Sequence, residues 1–338
     1  MSARLELAEV ATLYRICGIT LASEIALPEL IPVAGSAFAR EPDISVRIEK
    51  PVPGRASPSN WLTPSALSTG AQAYACAKEP GGYRLRFPEL ADFRVDAHGR
   101  EIVCEALEGI PPATIRHLLL DQVIPRTLSL LGVDALHATA VLTPHGVCAF
   151  AGVTGAGKST LAASFHLAGY PVLSDDCLVL KEESDAILAT PAYPGVRLWD
   201  DAVAALCGDR ENLLPVAHYS AKLRILADSP HGAFTPDRKA LVRIYNLVDT
   251  PETEAASIAG GQIIEAIPAR EAFMALVRSA FRLDITDRKV LARQFDFFER
   301  IASLVPIRRL RVPEGFASLV AVRDAIFADL RAGGSGAP

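Results

Sequence analysis

Residues Gly152 to Ser159 read Gly-Val-Thr-Gly-Ala-Gly-Lys-Ser and stand directly behind the apolar run Val147-Cys148-Ala149-Phe150-Ala151. The glycines allow successive backbone N–H groups to turn inward around a phosphate, a path that a Cβ would obstruct. The segment that follows, Ser159 to Leu167, is helix-forming, so a positive helix N-terminus points at the same spot. Strand, glycine-rich loop and helix in that order make a P-loop, which commits the middle of the chain to an α/β layer that binds a nucleoside triphosphate. The candidate contacts for ATP are Gly152, Val153, Thr154, Gly155, Ala156, Gly157, Lys158, Ser159 and Thr160. Lys158 would reach the β/γ oxygens, and the Ser159 hydroxyl would hold Mg²⁺.

Acids must decide what happens to the phosphate. Pro171-Val172-Leu173-Ser174 reads as a short strand that ends in Asp175-Asp176. If this strand and the one before the P-loop are parallel neighbours, a right-handed crossover brings both carboxyl ends to one edge of the sheet. One carboxylate of the pair can then hold Mg²⁺, directly or through water, while the other accepts the proton of an incoming hydroxyl. His137 is the second feature. Ala135–Leu142 and Val147–Ala151 read as an antiparallel hairpin around Thr143-Pro144-His145-Gly146. A symmetric turn about Pro144 and His145 sets His137 opposite Gly152, whereas a slip of one residue would send it to the other face.

The remainder of the chain sets bounds. With 338 residues, half of them hydrophobic, it can bury one large core or two ordinary ones. A net charge of −5, from 34 basic and 39 acidic residues, gives no general attraction to nucleic acid or to an anionic membrane. No apolar run approaches the roughly 20 residues that span a bilayer, and the acidic N-terminus is unlike a signal peptide, so a cytoplasmic protein is expected. The six cysteines show neither Cys-x-x-Cys pairs nor metal-ligand spacing and read as reduced, mostly core thiols.

Residues 1–110 read as a β-rich module, with strands at Leu13–Ile19, Asp43–Ile48, Tyr83–Phe87, Phe93–Val95 and Glu101–Glu105 and a loop at Pro51–Asn60. Residues 111–331 form the expected P-loop domain. It opens with a helix over Pro111–Leu131 that Pro125 should kink, and it closes with strands at Ala240–Val248, Gln262–Ile267 and Ile307–Val312 interleaved with helices at Ala269–Phe281, Asp287–Leu304 and Glu314–Leu330. Residues 332–338, rich in glycine and serine, read as a disordered tail. The Asn-Lys-x-Asp motif of GTPases and the Leu-Ser-Gly-Gly-Gln signature of ABC-type ATPases are both missing, and Gly260-Gly261-Gln262 is no substitute.

His137, Gly152–Ser159 and Leu173-Ser174-Asp175-Asp176 together resemble the catalytic domain of HPr kinase/phosphorylase, and more specifically its relatives in bacterial peptide-modification clusters, including those for lasso peptides. The resemblance covers about Ala135 to Leu180. It implies an α/β P-loop fold similar to that of ATP-dependent phosphoenolpyruvate carboxykinase, carrying a small N-terminal β-rich module. It also implies an ATP- and Mg²⁺-dependent serine kinase acting on a peptide or small protein, such as a ribosomal precursor peptide, and a homo-oligomer. Residue by residue it makes Asp176 the base, His137 its support, Lys158 a phosphate ligand and Ser159 the Mg²⁺ ligand, which leaves Asp175 as the candidate metal carboxylate of the pair. Pro191 to Trp199 looks like a further family element, with Arg197 a phosphate or substrate contact and Lys222 and Arg224 weaker candidates. Thr160 stands where the bacterial HPr kinases have Glu, and no Glu precedes Gly195-Val196-Arg197, which speaks against a reverse phosphorylase reaction. Two other readings of the same residues are a small-molecule kinase or carboxykinase-like enzyme and a non-catalytic ATP-binding regulator.

Overall fold

The computed structural model describes residues 7–33, 41–54, 58, 61–63, 74–207, 213–225, 237–248 and 263–334. The chain divides into two compact units. One holds Met1–Ala135 with Pro215–Lys222 and Phe281–Ala292; the other holds Leu136–Leu214, Leu223–Ala280 and Arg293–Pro338. The division falls beyond the helical segment that follows residue 110, so that segment goes with the β-rich unit.

In the first unit eight strands form one sheet: Leu7–Ile16 (β1), Ile19–Ile25 (β2), Ile44–Ile48 (β3), Trp61–Thr63 (β4), Ala75–Glu79 (β5), Gly82–Phe87 (β6), Ala91–Asp96 (β7) and Glu101–Ala106 (β8). Their order is β1-β2-β3-β8-β7-β6-β5-β4. Period-two alternation sets the buried face: Ala91, Phe93 and Val95 of β7 point inward, while Asp92, Arg94 and Asp96 do not. The single strand expected over Leu13–Ile19 is in fact two, because Cys17 (φ 52°) and Gly18 (φ 78°) both take left-handed conformations and close a two-residue hairpin turn. Of the loop expected at Pro51–Asn60, residues 51–54 and 58 are described and carry no strand or helix.

The expected helix over Pro111–Leu131 is a composite of Pro112–Leu118 (α1), a π-helical turn Leu119–Val123, Ile124–Thr127 (α2) and a 3₁₀ turn Leu128–Leu131. Pro125 has no N–H for an intrahelical bond, and its ring crowds the preceding turn. The chain answers with a wide turn in which the Ile124 N–H donates to the Leu119 carbonyl, five residues back, instead of with a simple kink.

The second unit contains Ala135–Leu136 (β9, which begins at the boundary), Ala138–Thr143 (β10), Gly146–Ala151 (β11), Lys158–Leu167 (α3), Val172–Ser174 (β12), Leu178–Glu183 (β13), Ala186–Thr190 (β14) and Val196–Leu198 (β15). After these come Asp200–Cys207 (α4), Leu214–Pro215 (β16, which ends across the boundary), Leu223–Ile225 (β17), Lys239–Val248 (β18), Ile264–Ala266 (β19), Ala269–Ser279 (α5), Arg288–Leu304 (α6, in this unit from Arg293 onward), Ile307–Arg311 (β20) and Leu319–Gly334 (α7). The large sheet runs β12-β10-β11-β18, where β18 also pairs with β20 and, through β14 and β13, leads to β9. β18 is parallel to both β11 and β20. Alternate residues of β11 serve two cores: Cys148 and Phe150 meet Leu161 and Phe165 of α3 with Val322 and Ile326 of α7, whereas Val147, Ala149 and Ala151 meet Leu276 of α5 with Phe298 and Ile301 of α6. A sheet buried on both faces accounts for the continuous apolar run ahead of the P-loop.

Helix α7 continues to Gly334, so residues 332–334 are helical and not part of a disordered tail; 335–338 lie outside the described residues, as do Gly260-Gly261-Gln262 and the start of the strand expected at Gln262. Cys17, Cys76, Cys104, Cys148 and Cys177 are buried, as expected of core cysteines. Among the described residues no helix is long and apolar enough to cross a membrane.

Candidate functional site

The hairpin register is the symmetric one. Ala138 pairs with Ala151 and Thr143 with Gly146, so the next step along β10 leads to His137 and the next along β11 to Gly152. β12, however, is not the neighbour of β11. It pairs antiparallel with β10, Ala140 opposite Ser174, so β10 lies between the two strands that the sequence reading had made adjacent. β11 and β12 still run in the same direction, and their carboxyl ends still share one edge. The inserted strand brings a consequence that the parallel-neighbour picture lacked: one step beyond Ala140–Ser174, Thr139 lies opposite Asp175.

The loop between β11 and α3 requires its glycines. Gly152 has φ 145°, and a Cβ there would lie 2.8 Å from the Leu247 carbonyl oxygen of β18. Gly157, at φ 87°, is the N-cap of α3. Lys158 opens the helix, and its buried ammonium donates to the carbonyls of Gly152 and Val153, both at 3.0 Å. It thereby lies across its own loop, at the mouth where phosphate oxygens would replace those carbonyls.

Asp175 is the hub. Its Oδ1 accepts hydrogen bonds from the Ser159 hydroxyl at 2.9 Å and the Thr139 hydroxyl at 2.8 Å. Its Oδ2 accepts the Arg197 backbone N–H at 2.9 Å and faces Arg197 Nε at 3.5 Å. The Asp175 carbonyl takes a third bond from Arg197, through Nη2 at 2.8 Å. Both side chains of the pair are 2% exposed. Burial of a carboxylate this deep is costly, and the density of donors offsets the cost.

Asp176 turns the other way. Its φ of 64° places a non-glycine residue in the left-handed region, where Asp is better tolerated than most. Its side chain is 17% exposed, with Oδ2 3.3 Å from Arg197 Nη2 and Oδ1 3.9 Å from His137 Nε2. Burial holds the His137 imidazole below its ordinary value; Asp176 and Asp175 oppose that shift, and the cations Lys158 and Arg197 reinforce it. The net shift favours the neutral ring.

His137, Lys158, Ser159, Asp175, Asp176 and Arg197 thus converge on one edge. Val153, Thr154 and Gly155 form the exposed lip of the loop, and Thr160 sits half-buried in the first turn of α3. Arg197, expected as a phosphate or substrate contact, is tied to the acid pair. Arg224 is buried on β17 as the register partner of Arg197, and both guanidinium groups lie over the Tyr193 ring, at 5.5 and 6.0 Å. Lys222 belongs to the first compact unit. Thr139 and Tyr193 were not singled out from sequence, and the bend at His137 keeps the period-two rule from linking it to Thr139.

The donor set suits Mg²⁺. Ser159 and Asp175 offer hard oxygens, and among the described residues no group of three or more His, Cys, Asp or Glu is arranged to cage a metal. A cation held here needs further oxygens from the nucleotide, which is how Mg²⁺ is ordinarily held beside phosphates.

No family model matches the chain, and no curated protein does. Among solved structures, the HPr(Ser) kinase/phosphatase from Coxiella burnetii is similar at 10% sequence identity and a TM-score of 0.32, over 58% of this chain and 97% of that one. An overlap that loose makes it a weak structural neighbour and establishes neither family nor activity.

Proposed function

We propose that the protein is an ATP- and Mg²⁺-dependent kinase that phosphorylates a hydroxyl, most plainly a serine hydroxyl on a peptide or small protein. The observation that carries this reading is the division of labour between adjacent acids: Asp175 is buried and committed to Ser159, while Asp176 is partly open beside His137. Asp176 accepts the acceptor's proton as its oxygen bonds to the γ-phosphorus and the bond to the ADP oxygen breaks. His137, 3.9 Å away, supports that transfer. Lys158 leaves its loop carbonyls for phosphate oxygens and, with the loop N–H groups and the α3 N-terminus, offsets the charge of the transferred group. Ser159 and, directly or through water, Asp175 would hold Mg²⁺, which would supply further positive charge at the phosphates.

The peptide acceptor is favoured by the eight-stranded sheet, whose order ends on β4, an edge able to pair with an extended chain, and on β1, which Pro32 already bridges at Tyr14. The test is mass spectrometry of serine-bearing peptides incubated with the protein, ATP and Mg²⁺. The expected result is one phosphate added to a serine. Unmodified peptides in the presence of bound ATP would shift the reading to a metabolite acceptor or to a nucleotide-sensing role.

A further inference from the structure

We propose that Thr139 is a positioning residue of the nucleotide–metal site, acting through Asp175 to set the direction of the Ser159 hydroxyl; the inference rests on the ATP- and Mg²⁺-dependent reading above. Thr139 is fully buried on β10, on the face it shares with Val141 of the α3 core, whereas Ala138 and Ala140 pack into the opposite core. A hydroxyl on an apolar strand inside a sheet is costly without a partner, and this one donates to Asp175 Oδ1 at 2.8 Å. The same oxygen accepts the Ser159 hydroxyl at 2.9 Å. A serine hydroxyl has one proton and two lone pairs. With its proton committed to Asp175, Ser159 keeps its lone pairs for a cation.

Arg197 holds the other carboxylate oxygen, through its backbone N–H at 2.9 Å and Nε at 3.5 Å, so the carboxylate is gripped at both ends. Without the Thr139 hydroxyl, the Oδ1 end would be held by Ser159 alone, and the carboxylate could swing towards Arg197. The Ser159 proton would follow it, and the lone pairs would turn from the cation.

The experiment is calorimetric titration of the full chain with ATP, in Mg²⁺ and in EDTA, for wild type, Thr139→Val and Thr139→Ser. Wild type is expected to gain affinity from Mg²⁺. Thr139→Val, nearly the same shape without the hydroxyl, should lose about tenfold of that gain and keep its Mg²⁺-free affinity, while Thr139→Ser keeps both. In a Ser159→Ala background Thr139→Val should add almost nothing, because both changes act on one link. An undiminished Mg²⁺ gain in Thr139→Val, equal losses with and without Mg²⁺, or a loss in Thr139→Ser would each overturn the inference while leaving the kinase reading in place. If Thr139→Val does not fold, the Thr139→Ser result decides. A wild-type protein that binds no ATP, or gains nothing from Mg²⁺, would overturn the kinase reading and this inference with it.

Discussion

Two sets of ion pairs, one in each unit, are arranged in opposite ways. On the eight-stranded sheet Arg47 meets Glu101, their side chains 46% and 45% exposed, and Arg94 reaches Glu49, both partners partly open to water. At the P-loop edge of the second unit, Arg197 and Asp175 meet at 2% exposure each. The same Coulomb attraction is at work in both places, but solvent screening and side-chain entropy reduce an exposed pair to almost nothing. A buried pair has already lost its hydration, so removal of either partner strands a charge. The exposed ladders therefore help to cover a sheet, and the buried cluster fixes a geometry that it can hold only as a whole.

Substitutions can sharpen or break that contrast. The largest effect is expected at Lys158: Lys158→Ala should lower ATP affinity at least about 100-fold, measured by calorimetry, because a point charge among phosphate oxygens is lost. Asp175→Asn comes next. It leaves the buried Arg197 with only the partly open Asp176 as carboxylate partner and should cost about 3 kcal/mol of folding stability in a denaturant titration.

His137 should give a smaller, pH-dependent effect. Its folded value is held below the unfolded 6.5, so its contribution is intact above that pH. As pH falls below it, the unfolded chain takes up the proton first, and stability declines until the folded ring also titrates. His137→Gln should flatten that acid limb. Arg47→Ala on the first sheet should change stability by no more than about 0.5 kcal/mol, and a loss comparable to that of Asp175→Asn would dissolve the comparison.

The strand and glycine-rich loop, the helix behind it and the hairpin register were legible in the sequence because each rests on local chemistry: glycine conformations, a composed turn and an apolar strand. The turn about Pro144 and His145 sufficed to set the register from Thr143–Gly146 to Ala138–Ala151, one residue short of His137 and Gly152. The neighbour of β12 was not legible, since three residues of strand carry no label for their partner, and β10 rather than β11 took that place. Thr139 was overlooked for the same reason: a threonine in an apolar strand gains its meaning only once Asp175 is seen across from it. In the first unit the Cys17-Gly18 turn was hidden because a non-glycine residue at positive φ leaves little trace in composition. The π turn before Pro125 was only half legible, as proline announces a disturbance without saying which geometry will absorb it.

The central claim is that the two adjacent acids are specialised, Asp175 for structure and metal and Asp176 for the proton. The most direct test measures ATP affinity and phosphate transfer side by side in wild type and Asp176→Asn. Loss of a general base predicts transfer reduced by roughly 10²–10⁴-fold with ATP affinity nearly unchanged. Equal loss of affinity and transfer would place Asp176 in nucleotide binding, and undiminished transfer would remove it from the chemistry altogether.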